Sequence, residues 1–110
     1  MELNRHLLPE EKVLLEILLQ KSSIIVPLGW KERLLVRPMK DGAMGSLYLF
    51  PNGVIEENRL LGKRVSEHLF KDKDGVDVIA SLNVDDKGEP FELDIWKTDF
   101  SQLIRLPEKM

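Results

Sequence analysis

Hydrophobic residues first recur with helical spacing between residues 9 and 21. Apolar side chains there fill a wide arc of a helical wheel, and Lys12, Glu16 and Gln20 form a polar stripe at i, i+4 and i+8. Pro9 suits the first helical position, where its missing N–H costs nothing. Leu8 is a poor N-cap, so we expect packing and not a side-chain cap to fix the helix start. The pattern predicts an α-helix over residues 9–21.

The next segments are short and interrupted by turn residues. Residues 24–30 are apolar but contain Pro and Gly, which predicts a buried connector. Strands are predicted over 34–39 and 46–50, and Pro38 is typical of an edge or a strand end. Residues 51–53 form a turn signal. Residues 54–63 follow neither the helical nor the strand period.

The second half of the chain alternates with period two. Strands are predicted over 64–71, 76–84 and 91–97, joined by turns at 72–75 and 85–90. Such alternation indicates sheets with one buried face. The side chains predicted to be buried are Val76, Val78, Ala80, Leu82, Val84, Phe91, Leu93 and Ile95. Glu92, Asp94 and Trp96 then lie on the opposite face.

One helix followed by hairpin-connected strands predicts an α+β fold. We expect the N-terminal helix to pack on a four- to five-stranded, mostly antiparallel meander sheet, in a single domain spanning residues 1–110. Leu14 and Leu18 should face the sheet. Leu15 and Leu19 then need cover, either from the chain ends or from a partner subunit, which makes them candidate homodimer residues.

Composition excludes several classes of function. The 110 residues carry a net charge of −3, so a nucleic-acid partner is disfavoured. The absence of cysteine removes disulfides, thiolate catalysis and zinc ribbons. The N-terminus has no secretory pattern, and no apolar run approaches the ~20 residues of a membrane span. We expect a cytoplasmic protein without a membrane partner.

Metal and cofactor chemistry finds little support in the spacing of residues. The acidic turn at 72–77 has Gly at the fourth position and Val at the fifth, unlike an EF-hand loop, and we expect a solvated hairpin turn. The two histidines, His6 and His68, stand on different elements without an i, i+4 pair. We predict no metal site, no cofactor and no catalytic set.

Two surface regions remain as candidate binding sites. In the loop at 40–45, Asp41 and Met44 are candidates because flexible Met side chains suit an adaptable contact surface, although a tight structural turn is the favoured interpretation of this loop. On the last strand, Glu92 and Asp94 lie about 7 Å apart beside Trp96. This face could bind a basic segment or a sugar, or perform acid–base chemistry. Alternatively, Arg37 or Arg64 neutralises the carboxylates and the face has no function.

Four segments resemble a small bacterial domain family of unknown function. They are LPEE at 8–11, MKDGAMGSL at 39–47, DGV at 74–76 and, most specific, FELDIWKTDFS at 91–101. The resemblance covers nearly the whole chain. It implies a shared fold and brings no activity with it.

The sequence therefore favours a non-enzymatic protein-interaction module of the bacterial cytosol, by analogy with toxin-neutralising immunity proteins that use acidic surfaces. The partner would be another protein, or a second copy of the chain, bound through Leu15, Leu19 or the Glu92, Asp94 and Trp96 face. The alternative is a small carboxylate-dependent enzyme or a sugar-binding domain that uses the same three residues.

Overall fold

A computed structural model describes residues 4–27, 29–40 and 44–107 of the chain. In chain order, the elements are helix α1 (Pro9–Gln20), helix α2 (Trp30–Arg33), strands β1 (Leu35–Pro38) and β2 (Leu47–Phe50), a 3-10 turn (Pro51–Gly53), and strands β3 (Leu61–Lys71), β4 (Asp77–Asp85) and β5 (Pro90–Lys97). In the parts of the chain so described, no helix has the length and apolar character needed to cross a membrane.

The five strands form one antiparallel sheet in the order β1-β2-β5-β4-β3. A β1–β2 hairpin and a β3–β4–β5 meander meet where β2 pairs with β5. Residues 54–60 carry the chain from β2 to the far edge, where β3 begins. Pro38 lies in the edge strand β1, as expected for a residue without an N–H. The predicted α+β fold is confirmed.

Helix α1 covers one face of this sheet. Leu14 and Leu18 are fully buried and share the core with the inward side chains of β4 and β5, which are Val78, Ala80, Leu82, Leu93 and Ile95. The prediction that Leu14 and Leu18 face the sheet is therefore confirmed. At about 25 cal/mol per Å² of apolar area, burial of each leucine contributes roughly 2 kcal/mol.

The rest of the apolar arc of α1 is covered within the chain. Leu15 is fully buried in the core together with Leu7, and Leu103 and Leu106 pack against that core from the C-terminal segment. Of the two covers expected for Leu15, the chain ends are therefore the one observed. Leu15 is not available as a contact surface, and Leu19 is half-buried.

A side chain inside the helix, and not packing alone, fixes the start of α1. The Leu8 amide donates to Glu11 Oε1 at 2.8 Å, and Arg5 binds both oxygens of the same carboxylate at 2.8 and 2.9 Å. Glu11 is the third helical residue, so it forms half of a capping box without a cap side chain at Leu8. As expected, Leu8 contributes no side-chain cap, but Glu11 and Arg5 add side-chain bonds at this end that the sequence analysis did not predict.

The connector before β1 is not buried throughout. Ile25 is 95% exposed, whereas Trp30 is buried and begins α2. Among the described residues of this segment, Trp30 alone is buried, and its large indole enters the core.

Candidate functional site on the open sheet face

The face of the sheet opposite α1 carries three rows of side chains, which the strand register aligns across the sheet. We call this surface the open face. The first row crosses all five strands and consists of Arg37, Tyr48, Glu92, Asn83 and Arg64. The second row consists of Asp94, Ser81 and Glu67. The third row consists of Trp96, Ile79 and Leu69.

A buried amide joins the two predicted carboxylates. Asn83 Nδ2 donates to Asp94 Oδ2 at 2.8 Å and lies 3.4 Å from Glu92 Oε1. Asn83 is buried, and both acidic side chains are half-buried. Burial and then the neighbouring charge of Asp94 raise the pKa of Glu92, and the contact with Asn83 opposes them only in part. The face therefore holds a carboxylate that its surroundings do not fully stabilise.

The arginines of the first row are engaged elsewhere. Arg37 binds both oxygens of Glu57, at 3.0 and 3.1 Å, and Arg64 pairs with Glu67 three residues along β3. Across residues 4–27, 29–40 and 44–107, no lysine or arginine forms an ion pair with Glu92. The alternative in which Arg37 or Arg64 neutralises this carboxylate is therefore not observed.

Two shallow depressions lie on either side of the carboxylates. One, of about 450 Å³, is bordered by Glu92 together with Tyr48 and Phe91. The other, of about 480 Å³, is bordered by Asp94 together with Trp96. Each has the volume of a small-molecule or single-side-chain site. Glu92 and Asp94 therefore stand between two depressions, and neither lies at the bottom of a deep pocket.

Phe91 belongs to this face and not to the core, contrary to the sequence prediction. Asn83 pairs with Glu92, but Val84 pairs with Pro90, so Phe91 is the extra residue of a β-bulge. A bulge breaks the alternation that period-two reasoning assumes. The Phe91 ring borders the first depression, and the Arg59 guanidinium carbon lies 4.7 Å from its centroid.

Arg59 fixes the segment that forms the wall of the first depression. Its Nε donates to Asp85 Oδ2 at 2.9 Å, and its terminal nitrogens donate to the carbonyls of Leu49 and Pro90. Residues 54–60 have no regular structure, and this buried side chain ties them to three strands. The wall is thus held by side-chain bonds, which the strand and helix periods do not reveal.

The hairpin turn predicted after β3 is present with residues 73–75 exposed, but Asp72 at its start is buried in an ion cluster. Lys97 is fully buried, and its Nζ lies 2.8 Å from Asp72 and 2.7 Å from Asp74. Asp72 also accepts hydrogen bonds from the amides of Ile104 and Arg105. Burial opposes ionisation of Asp72, but Lys97 and these amides outweigh it and lower its pKa to about 2. The cluster fastens the C-terminal segment to the β3–β4 turn.

Met44 does not border either depression of the open face. Met44 is half-buried, and Asp41 lies outside the described residues. In the described part of the chain, no three His, Asp or Glu side chains are grouped so that they could hold a metal ion.

Sequence reasoning missed two members of the site. The role of Asn83 between the carboxylates depends on the β4–β5 register, which the sequence alone does not show. Tyr48 lies opposite Glu92 because β2 pairs with β5, a non-consecutive neighbour. An exposed tyrosine alternating with buried leucines was the available signal for Tyr48.

Comparison with known proteins yields one match. Residues 4–107 match the family model described as Domain of unknown function (DUF6984). Neither the search of curated proteins nor that of solved structures found a match.

Proposed function

The chain belongs to the family described as Domain of unknown function (DUF6984), which supplies no activity. We therefore propose a function from the open face. The protein is a non-enzymatic interaction module that binds a basic segment of a protein partner. The absence of an ion pair to Glu92 among the described residues carries this proposal. A half-buried carboxylate with a raised pKa and no ion pair within the described residues gains most from a cationic group supplied by a ligand.

The surroundings of Glu92 support a protein partner over a small metabolite. The open face is broad, its depressions are shallow, and Trp96 is 45% exposed. Exposed aromatic side chains are enriched at protein contact surfaces, and Trp96 lies on the same face of β5 as the two carboxylates. We further propose that the module works in the bacterial cytosol and neutralises a basic partner as immunity proteins do.

Affinity capture with matched variants tests this proposal. The chain is immobilised and exposed to a bacterial lysate beside two double variants. Glu92→Gln with Asp94→Asn removes both carboxylates from the open face. Glu10→Gln with Asp86→Asn removes the same charge from exposed positions elsewhere. We expect a protein that the wild type and the control retain and the open-face variant loses.

Two results would refute the proposal. One is a partner that the Glu92→Gln, Asp94→Asn variant retains undiminished. The other is equal loss with the control variant, which would indicate a general effect of net charge. Thermal unfolding of all variants establishes that each is folded before binding is compared.

A carboxylate-dependent enzyme or a sugar-binding domain is the second candidate, and the raised pKa of Glu92 beside Asp94 favours it. Trp96 would then stack against a sugar ring. A glycan array and hydrolase assays with the wild type and the Glu92→Gln variant test this candidate. Glycan binding that depends on Trp96, or turnover that depends on Glu92, would favour it over the interaction module.

A further inference from the structure

The open face is divided into bands of different chemistry. Its second row, the acidic row, has the carboxylates of Asp94 and Glu67 on either side of Ser81, and Glu67 already pairs with Arg64 of the first row. The adjacent third row is entirely apolar, and its Trp96 lies on β5, the central strand of the sheet. Since side chains on one face of a strand repeat every two residues, about 7 Å separates an acidic position from an apolar one along β5.

Two apolar side chains in or beside this row are largely exposed. Leu69 is 63% exposed, and Phe100, which follows β5, is 71% exposed with its ring centroid 5.9 Å from that of Trp96. Together Trp96, Phe100 and Leu69 form an apolar patch directly beside the acidic row. Exposed apolar clusters that are bordered by polar groups mark interaction sites.

Phe100 also has a backbone conformation that its side chain disfavours. Its φ is 63°, in the left-handed region where a bulky residue is strained and where glycine is the usual choice. The amide of Phe100 donates to the Lys97 carbonyl at 2.8 Å, which closes a tight turn. The chain thus places a large ring beside Trp96 at a position where glycine would fit the backbone better.

We propose that the open face recognises an extended segment of a partner protein in which a basic side chain and a bulky apolar side chain are two residues apart. This proposal rests on the proposed function and specifies which partner segments the open face binds. The basic side chain lies against Asp94, and the apolar side chain lies against Trp96 and Phe100. An extended ligand parallel or antiparallel to β5 has the matching repeat of about 7 Å.

Charge favours a partner protein over a second copy of the chain. A second copy would bring the same carboxylates of the acidic row against this face, and the chain as a whole carries a net charge of −3. Like charges placed together across an interface oppose binding. A basic segment has the complementary charge for the acidic row and needs only one apolar side chain for the patch.

Short synthetic peptides test the spacing rule directly. The probes contain Arg-Ser-Phe or Phe-Ser-Arg in an otherwise polar sequence, with controls in which Ser replaces Phe or Gln replaces Arg. Trp96 fluorescence reports binding, since the other tryptophan, Trp30, is buried in the core. We expect at least one complete probe to bind about tenfold more tightly than either control, since one buried aromatic ring is worth at least that factor.

A chain variant separates the apolar contact from folding. Phe100→Gly suits the observed φ, so we expect it to fold normally and to bind the complete probe about tenfold more weakly. Its affinity for the Arg-only control should stay unchanged.

Each contrary outcome has a distinct meaning. Equal binding of the complete and Arg-only peptides would overturn the spacing rule and leave the basic-partner proposal standing. No binding of any probe up to about 1 mM would overturn the rule as well, and the capture experiment would judge the proposed function separately. Concentration-dependent self-association that Trp96→Ala abolishes would overturn the inference in favour of a second copy.

Discussion

Replacement of Asp72 by Asn probes the buried ion cluster that fixes the end of β5 and the C-terminal segment. Asp72 lies 2.8 Å from the fully buried Lys97 and accepts hydrogen bonds from three backbone amides, those of Lys73, Ile104 and Arg105. The variant keeps the side-chain shape but removes the charge and turns one acceptor into a donor. The ammonium group then retains Asp74, which is more exposed, as its only carboxylate among the described residues.

The expected loss follows from the contacts that are broken. Removing one partner of a buried pair typically costs about 3–5 kcal/mol, and the remaining Asp74 contact places this case near the lower end. We expect a loss of about 3 kcal/mol in the free energy of unfolding. For a domain of this size, this loss lowers Tm by roughly 12–20 °C.

Asp77→Asn is the matched control on the same hairpin. Asp77 also lies 2.8 Å from a lysine, Lys71, but both side chains are largely exposed. An exposed pair contributes at most about 1 kcal/mol. Urea unfolding followed by circular dichroism should therefore separate the two variants by about 2 kcal/mol or more. Equal stabilities of Asp72→Asn and Asp77→Asn would refute the assignment of Asp72 as a buried structural anchor.

Four further predictions concern single groups. The fold lowers the pKa of Asp72 from 3.8 to about 2. The contribution of the Asp72 carboxylate to the free energy of unfolding is therefore present above about pH 4 and is lost as the pH falls through 2. Acid titrations should show the stability difference between wild type and Asp72→Asn closing over that range. Because the fold raises the pKa of Glu92, ionisation opposes folding, and Glu92→Gln should be equally or more stable than wild type in urea at pH 7; a clear loss would contradict this. Phe100→Gly should be about 1 kcal/mol more stable than Phe100→Ala, since only glycine relieves the positive φ; equal Tm values would exclude the strain. Arg59→Met removes the bonds to Asp85 and to two carbonyls, so we expect it to lower the free energy of unfolding by about 3 kcal/mol. Hydrogen exchange of the amides in residues 54–60 should become faster. Unchanged exchange would show that other contacts hold that segment.

The fold was predictable where side-chain periodicity is clean. Helix α1 begins at Pro9 as predicted, and the alternation of β4 placed Val78, Ala80 and Leu82 on the covered face. The same alternation in β5 assigned Glu92, Asp94 and Trp96 to the face opposite the helix, and in the structure all three lie on the open face. Regular elements with one buried face show their orientation in the sequence because each residue faces one environment only.

The remainder depended on contacts between distant residues. The bulge at Phe91 and the anchoring of residues 54–60 by Arg59 have no periodic signal. Lys97 could have been suspected, since it continues the buried positions Leu93 and Ile95 at the same spacing, but its burial requires the two carboxylates of the β3–β4 turn. A buried charge is stable only with its partners in place, and a single strand does not show them.

The most direct test of the open face as a binding surface is nuclear magnetic resonance mapping. Backbone amide shifts of the labelled chain are recorded before and after the captured partner, or the complete peptide probe, is added. We predict that the largest changes occur in β4 and β5, at Ser81, Asn83 and Asp94, together with the Trp96 indole signal. Changes confined to α1, with β5 unaffected, would contradict the account.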